Sequence, residues 1–92
     1  MVTITHLFDL GNVYQTPGVL ECIPSQDVFQ CLARHQQGDW GDMFMEDKIE
    51  NDLSLANGSR LLSAYHASTG EKFWVITEAD RQSTTVMLPE EY

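Results

Sequence analysis

Residues 39–58, DWGDMFMEDKIENDLSLANG, carry the strongest helical periodicity in the sequence. Met45, Ile49, Leu53 and Ala56 recur at four- and three-residue steps, the spacing of one face of an α-helix. Among them stand Glu46, Asp47, Glu50 and Asp52, answered only by Lys48. The pattern predicts an amphipathic helix over residues 42–57, with an apolar underside and a carboxylate-rich outer face. Asp39 is placed to cap its start, with Asp42 three residues on near the positive end of the helix dipole. Asn57-Gly58 supplies the stop, because glycine takes the left-handed position after a helix at no steric cost.

The segments on either side read differently. Thr16-Pro17 is a helix start, with threonine as the cap and proline at the first helical position, and Pro24 ends that short helix. Ser25 then caps a second helix over residues 26–35, with Asp27 in its first turn and Val28, Phe29, Cys31 and Leu32 as its apolar face. Gln36-Gln37-Gly38 closes it. After Gly58 the periodicity changes. Residues 60–67, 73–77 and 84–88 are short runs rich in β-branched and aromatic side chains. The loop Ser68-Thr69-Gly70-Glu71 suits a hairpin, and residues 79–83 make a longer second connection. Phe73, Val75 and Thr77 point to one face of the middle strand, Trp74 and Ile76 to the other. At the N-terminus, residues 3–8 and 13–15 read as extended structure broken at Gly11-Asn12, an edge strand or short hairpin. The last residues, 89–92, read as a loose tail. The expected fold class is α+β: one domain over residues 1–92, with a three-stranded antiparallel C-terminal sheet packed against N-terminal helices.

Charge narrows the partners. Five lysines and arginines stand against 14 acids, a formal charge of -9 in 92 residues. That balance repels nucleic-acid phosphates and anionic membranes, and it favours a basic partner or simple solubility. No free DNA binding and no membrane association is expected. No apolar run is long enough to span a bilayer, no basic-then-apolar leader opens the sequence, and two cysteines make no disulfide framework. The expected location is the cytoplasm.

Little in the sequence points to catalysis. Cys31 and His35 lie four apart on one helix face, the nucleus of a zinc site or of a nucleophile–base pair. The other candidate ligands, Cys22, His6 and His66, are scattered, so a buried structural cysteine is the expected reading. Glu46, Asp47, Glu50 and Asp52 lack the alternation and glycine of a calcium loop. No glycine-rich phosphate loop and no GxSxG elbow is present. The expectation is therefore no enzyme, no cofactor and no metal. Trp40, between Asp39 and Asp42, reads as a partly exposed ring and an interface anchor, with Phe44 four residues on.

Two resemblances go further than the residues do alone. GDWGD at residues 38–42 and the run RLLSAYHASTGEKFWVITEADRQSTTVMLPEEY resemble a family of small proteins carried by phages, plasmids and integrative elements. In that family a GDWG motif precedes a helix and a similar run closes the chain. Some members are called restriction methylase subunits, but this chain lacks the glycine-rich cofactor loop of a methyltransferase. From THLFDLGNVYQTPGVLECIPSQDVF onward the whole chain also resembles phage anti-CRISPR proteins of the type I-F class. That resemblance implies binding to a multisubunit RNA-guided surveillance complex in the host bacterial cytoplasm, and a block on its engagement of target DNA. The implied partners are Cas subunits with basic surfaces, together with the guide RNA they carry. An anti-restriction DNA mimic is the competing reading, with the same electrostatics and a different target. The resemblance fixes no individual binding residues. Charge and aromatic content nominate Asp39, Trp40, Asp42, Phe44, Glu46, Asp47 and Glu50.

Overall fold

The computed structural model describes residues 6–92. Its elements run β1 (Asn12–Gln15), α1 (Pro17–Cys22), α2 (Ser25–Gln36), α3 (Met45–Asn57), β2 (Leu61–His66), β3 (Lys72–Thr77) and β4 (Ser83–Met87), then a 3-10 turn at Pro89–Glu91. The class is α+β, as the sequence reads, but the sheet is not the expected three-stranded antiparallel one. Among the described residues it has four strands in the order β1-β4-β3-β2 and is mixed. The β2–β3 and β3–β4 pairs are antiparallel, whereas β1 lies parallel to β4, with Val13 opposite Thr84 and Gln15 opposite Val86. A parallel neighbour needs a long crossover. Here nearly the whole chain intervenes, which is why local hairpin signals do not reveal it. The expected extended segment at residues 3–8 lies partly outside the described residues. Its described part, 6–8, holds no strand; Leu7 donates its amide to the Gln36 carbonyl at 2.9 Å, tying the segment to the end of α2.

One sheet face makes the core. Alternation along the strands sends Leu61, Ser63 and Tyr65, Phe73, Val75 and Thr77, and Thr84 and Val86 to the same side. Val19 and Ile23 of the α1 segment and Val28 and Cys31 of α2 pack on this face, together with Leu32. The starts of these helices follow from side-chain chemistry. The Thr16 hydroxyl accepts the Val19 amide ahead of Pro17. Ser25, expected as a cap, is instead the first residue of α2, because Pro24 holds the extended conformation just before it. The tail is not loose either. Glu91 accepts from the Thr16 hydroxyl at 2.5 Å and from the Gly18 and Leu88 amides, pinning the C-terminus beside α1. These bonds hold its carboxyl below the usual range, the Thr16 hydroxyl contributing most.

At one end of the core the apolar packing gives way to a chain of hydroxyls. His35 is fully buried, with Nδ1 2.6 Å from Ser63 Oγ and Nε2 2.9 Å from Thr77 Oγ1. Thr77 Oγ1 is 2.7 Å from Thr84 Oγ1, which donates to the Leu10 carbonyl. A carbonyl can only accept, so the protons order themselves: Thr84 accepts from Thr77, Thr77 accepts from His35 Nε2–H, and Nδ1 accepts from Ser63. Burial pushes the His35 pKa down to about 3, keeping the ring neutral. Phe8 meets the ring edge-on at 5.1 Å, and Trp40, stacked on Phe8, meets it at 5.7 Å. His35 and Ser63 are both fully buried, so the pair joins helix to strand inside the core. Cys31 is a core side chain as expected, and burial raises its thiol pKa.

Candidate functional site: the segment along the β2 edge

The GDWGD stretch is structural, residue by residue. Gly38 (φ 80) follows α2 in the left-handed region. Its amide bonds the His35 carbonyl and the Asp39 amide bonds the Arg34 carbonyl, the paired arrangement of a Schellman stop. Asp39 does not cap the next helix. Its carboxylate takes Arg34 Nε at 2.7 Å and the Gly41 amide at 3.2 Å, and the Arg34 bond holds its pKa below the usual range. Trp40, expected to be partly exposed, is 3% exposed. Its ring stacks on Phe8, and its indole N–H donates to Asp52 at 2.9 Å. Gly41 (φ 80) passes so close to β2 that a side-chain carbon there would sit 2.0 Å from the Ala64 carbonyl oxygen. Ala64 then bonds the Trp40 carbonyl and the Asp42 amide. The Asp42 carboxylate meets His66 Nδ1 at 2.6 Å.

This backbone run delays the helix. α3 begins at Met45, not residue 42, with Phe44 as an extended cap residue that makes no side-chain cap bond. It ends as read, at Gly58 in the left-handed conformation (φ 78). Its orientation is the reverse of the one its apolar periodicity predicts. The buried residues of α3 are Asn51 and Ser54, while Met45, Ile49 and Leu53 are 67%, 50% and 60% exposed. The cause lies in β2. As an edge strand it has outward backbone groups that must find partners. Asn51 supplies them, donating Nδ2–H to the Leu62 carbonyl at 2.7 Å and accepting the Leu62 amide on Oδ1 at 3.2 Å. A helix that docks on a strand edge turns a polar residue inward, and its apolar stripe goes to solvent. Arg81, at φ 60 in the turn before β4, fastens the far end by donating to the carbonyls of Ser54 and Ser59.

The outward face therefore has two chemistries. Met45, Ile49 and Leu53 form a stripe along α3, with Phe44 80% exposed at its head. By helical geometry Glu46 and Glu50 lie beside the stripe and Asp47 further round. All three are exposed, and among the described residues no lysine or arginine pairs with them. Fully burying a Leu, Ile or Met side chain is worth about 1.5–3 kcal/mol, so the exposed stripe leaves on the order of 3–4 kcal/mol of burial unrealised.

Of the seven nominated residues, Phe44, Glu46, Asp47 and Glu50 are exposed along α3 and its start, with Asp47 turned to the Asn51 side of the helix, at the cleft against β2. Trp40 is removed to the core, and Asp39 and Asp42 are engaged with Arg34 and His66. The sequence shows the stripe but not that it faces solvent, and it does not show the parts of Asn51 and Arg81, which orient it. The signal that marks the true inner face is Asn51 with Ser54, polar residues three apart. Among the described residues no group of three or more His, Cys, Asp or Glu is placed to hold a metal ion. No described helix is long and apolar enough to cross a membrane. No protein-family model, curated protein or solved structure matches the chain.

Proposed function

We propose that this chain is a stoichiometric anti-CRISPR inhibitor that acts in the host bacterial cytoplasm. It binds a type I-F RNA-guided surveillance complex and blocks engagement of target DNA, by occupancy and without chemistry of its own. The sequence resemblance supplies the target. The observation that carries a binding role is the set of free carboxylates Glu46, Asp47 and Glu50 beside exposed Phe44, on one element of a chain at -9. RNA-guided effectors hold their nucleic acids in positively charged channels, and an acidic helix face is complementary to such a surface. An anti-restriction DNA mimic would use the same charge against a different enzyme.

The test is capture of purified type I-F surveillance complex by the tagged full chain, with and without target DNA, alongside a titration of DNA-binding inhibition. The proposal expects capture that target DNA diminishes, and inhibition that saturates near a small whole number of inhibitors per complex. Complete inhibition at far lower ratios would indicate an enzyme. No capture, with inhibition of a restriction enzyme instead, would favour the mimic.

A further inference from the structure

We infer that α3 docks as an amphipathic helix against a protein surface, with its apolar stripe laid into an apolar groove and lysines or arginines of the partner along the Glu46–Glu50 rim. This rests on the reading that the chain acts by binding, and it narrows that reading: the contact is with protein, not with the guide RNA or through phosphate mimicry. The reason is the order of chemistries on the helix. Phosphate mimicry needs carboxylates alone, whereas here the centre of the outward face is Met45, Ile49 and Leu53, with Glu46 and Glu50 along one margin and Asp52, which accepts the Trp40 indole N–H, along the other. An apolar centre with charge at the margin is how a helix is recognised in a groove, by anchors at four-residue steps. From Met45 to Leu53 the stripe spans about 12 Å, some two helical turns.

Charge decides between a foreign partner and a second copy. Two α3 helices packed antiparallel about a two-fold axis bring the same flank of each together, setting Glu46 and Glu50 against their own images. Each copy also carries -9. The same carboxylates are unpaired among the described residues, so a basic rim finds them free.

The experiment uses the full chain, its Ile49→Gln/Leu53→Gln variant and its Glu46→Gln/Glu50→Gln variant; glutamine keeps helix propensity at these exposed positions. Two probes are a 14-residue amphipathic helical peptide of leucine and lysine, and a lysine–serine peptide of equal charge. Amide chemical shifts report where each binds, and purified surveillance complex serves as a third ligand. The inference expects the leucine–lysine peptide to shift residues 44–56 and to bind at least tenfold more tightly than the lysine–serine peptide. The Ile49/Leu53 variant should lose at least tenfold at both low and high salt, and the Glu46/Glu50 variant should lose mainly at low salt. Equal binding of the two peptides, or a parent dimer that the Ile49/Leu53 variant makes monomeric, overturns it. Surveillance complex binding parent and Ile49/Leu53 variant alike also overturns it, while leaving the proposed function in place. Peptide docking on α3 without any binding to the complex does the reverse.

Discussion

Replacing Asn51 by alanine tests why α3 lies as it does. The asparagine amide makes two hydrogen bonds to one residue of the β2 edge, at 2.7 and 3.2 Å, from a site 5% exposed. A net hydrogen bond is worth about 1 kcal/mol, and a donor or acceptor left dry costs about 1–3 kcal/mol. Leu62 is only partly buried, so water reaches some of what is uncovered. The expected loss is about 2–3 kcal/mol, a large share of the roughly 5–14 kcal/mol that a domain of this length holds. In thermal unfolding that corresponds to a drop of about 8–20 °C. Ser54→Ala is the control. Its hydroxyl donates to the Glu50 carbonyl within its own helix, so its loss is expected to be about 0.5 kcal/mol. Urea titrations followed by circular dichroism measure both. If Asn51→Ala unfolds within about 0.5 kcal/mol of the parent, the edge bonds do not orient the helix and the explanation for its inverted face fails.

His35 makes stability depend on pH. Its folded pKa, about 3, is below its unfolded 6.5, so between those values the unfolded chain binds more protons. The contribution is full above about pH 6.5 and is lost as pH falls towards 3. At about 1.4 kcal/mol per pKa unit, the whole drop is worth on the order of 5 kcal/mol, and constant stability from pH 7 to 4.5 would contradict it. Trp40→Phe keeps a ring but drops the bond to Asp52. It should lose about 1–2 kcal/mol of stability in urea titrations while leaving partner association and dissociation rates unchanged; a raised off-rate in a folded variant would return Trp40 to the interface. Cys31→Ala should keep inhibition and lose about 1–2 kcal/mol as a core truncation, and stoichiometric zinc in the purified protein would contradict that account.

The legible parts of the fold were those governed by local rules. Thr16-Pro17 starts α1, Gly58 stops α3, and the Ser68–Glu71 loop turns β2 into β3 because turn and cap chemistry act within a few residues. The parallel β1–β4 pair was hidden because its partners are separated by most of the chain. α3 shows the more instructive failure. Periodicity correctly found the helix and its two faces, but it assigns the apolar face to the interior on the premise that a sheet face awaits it. The premise fails where the neighbour is a strand edge with open backbone groups, and Asn51 is then worth more inside than Ile49. Trp40 failed for a related reason: its acidic neighbours are exposed, yet the sharp backbone at Gly41 sends the ring inward to Phe8 and His35. Glu46, Asp47 and Glu50 were placed on open surface by their spacing alone, and there the structure agrees.

The most direct test of the account is the binding kinetics of Glu46→Lys/Asp47→Lys/Glu50→Lys against type I-F surveillance complex, at low and high salt. Glu46 and Asp47 lie in the first turn of α3, so their reversal also costs about 0.3–1 kcal/mol each through the helix dipole, too little to unfold the domain, which circular dichroism verifies. The expected result is a folded variant whose association is at least tenfold slower at low salt, with the gap to the parent closing as salt rises, and inhibition weakened in step. A folded variant that associates and inhibits like the parent at both salt concentrations would contradict it.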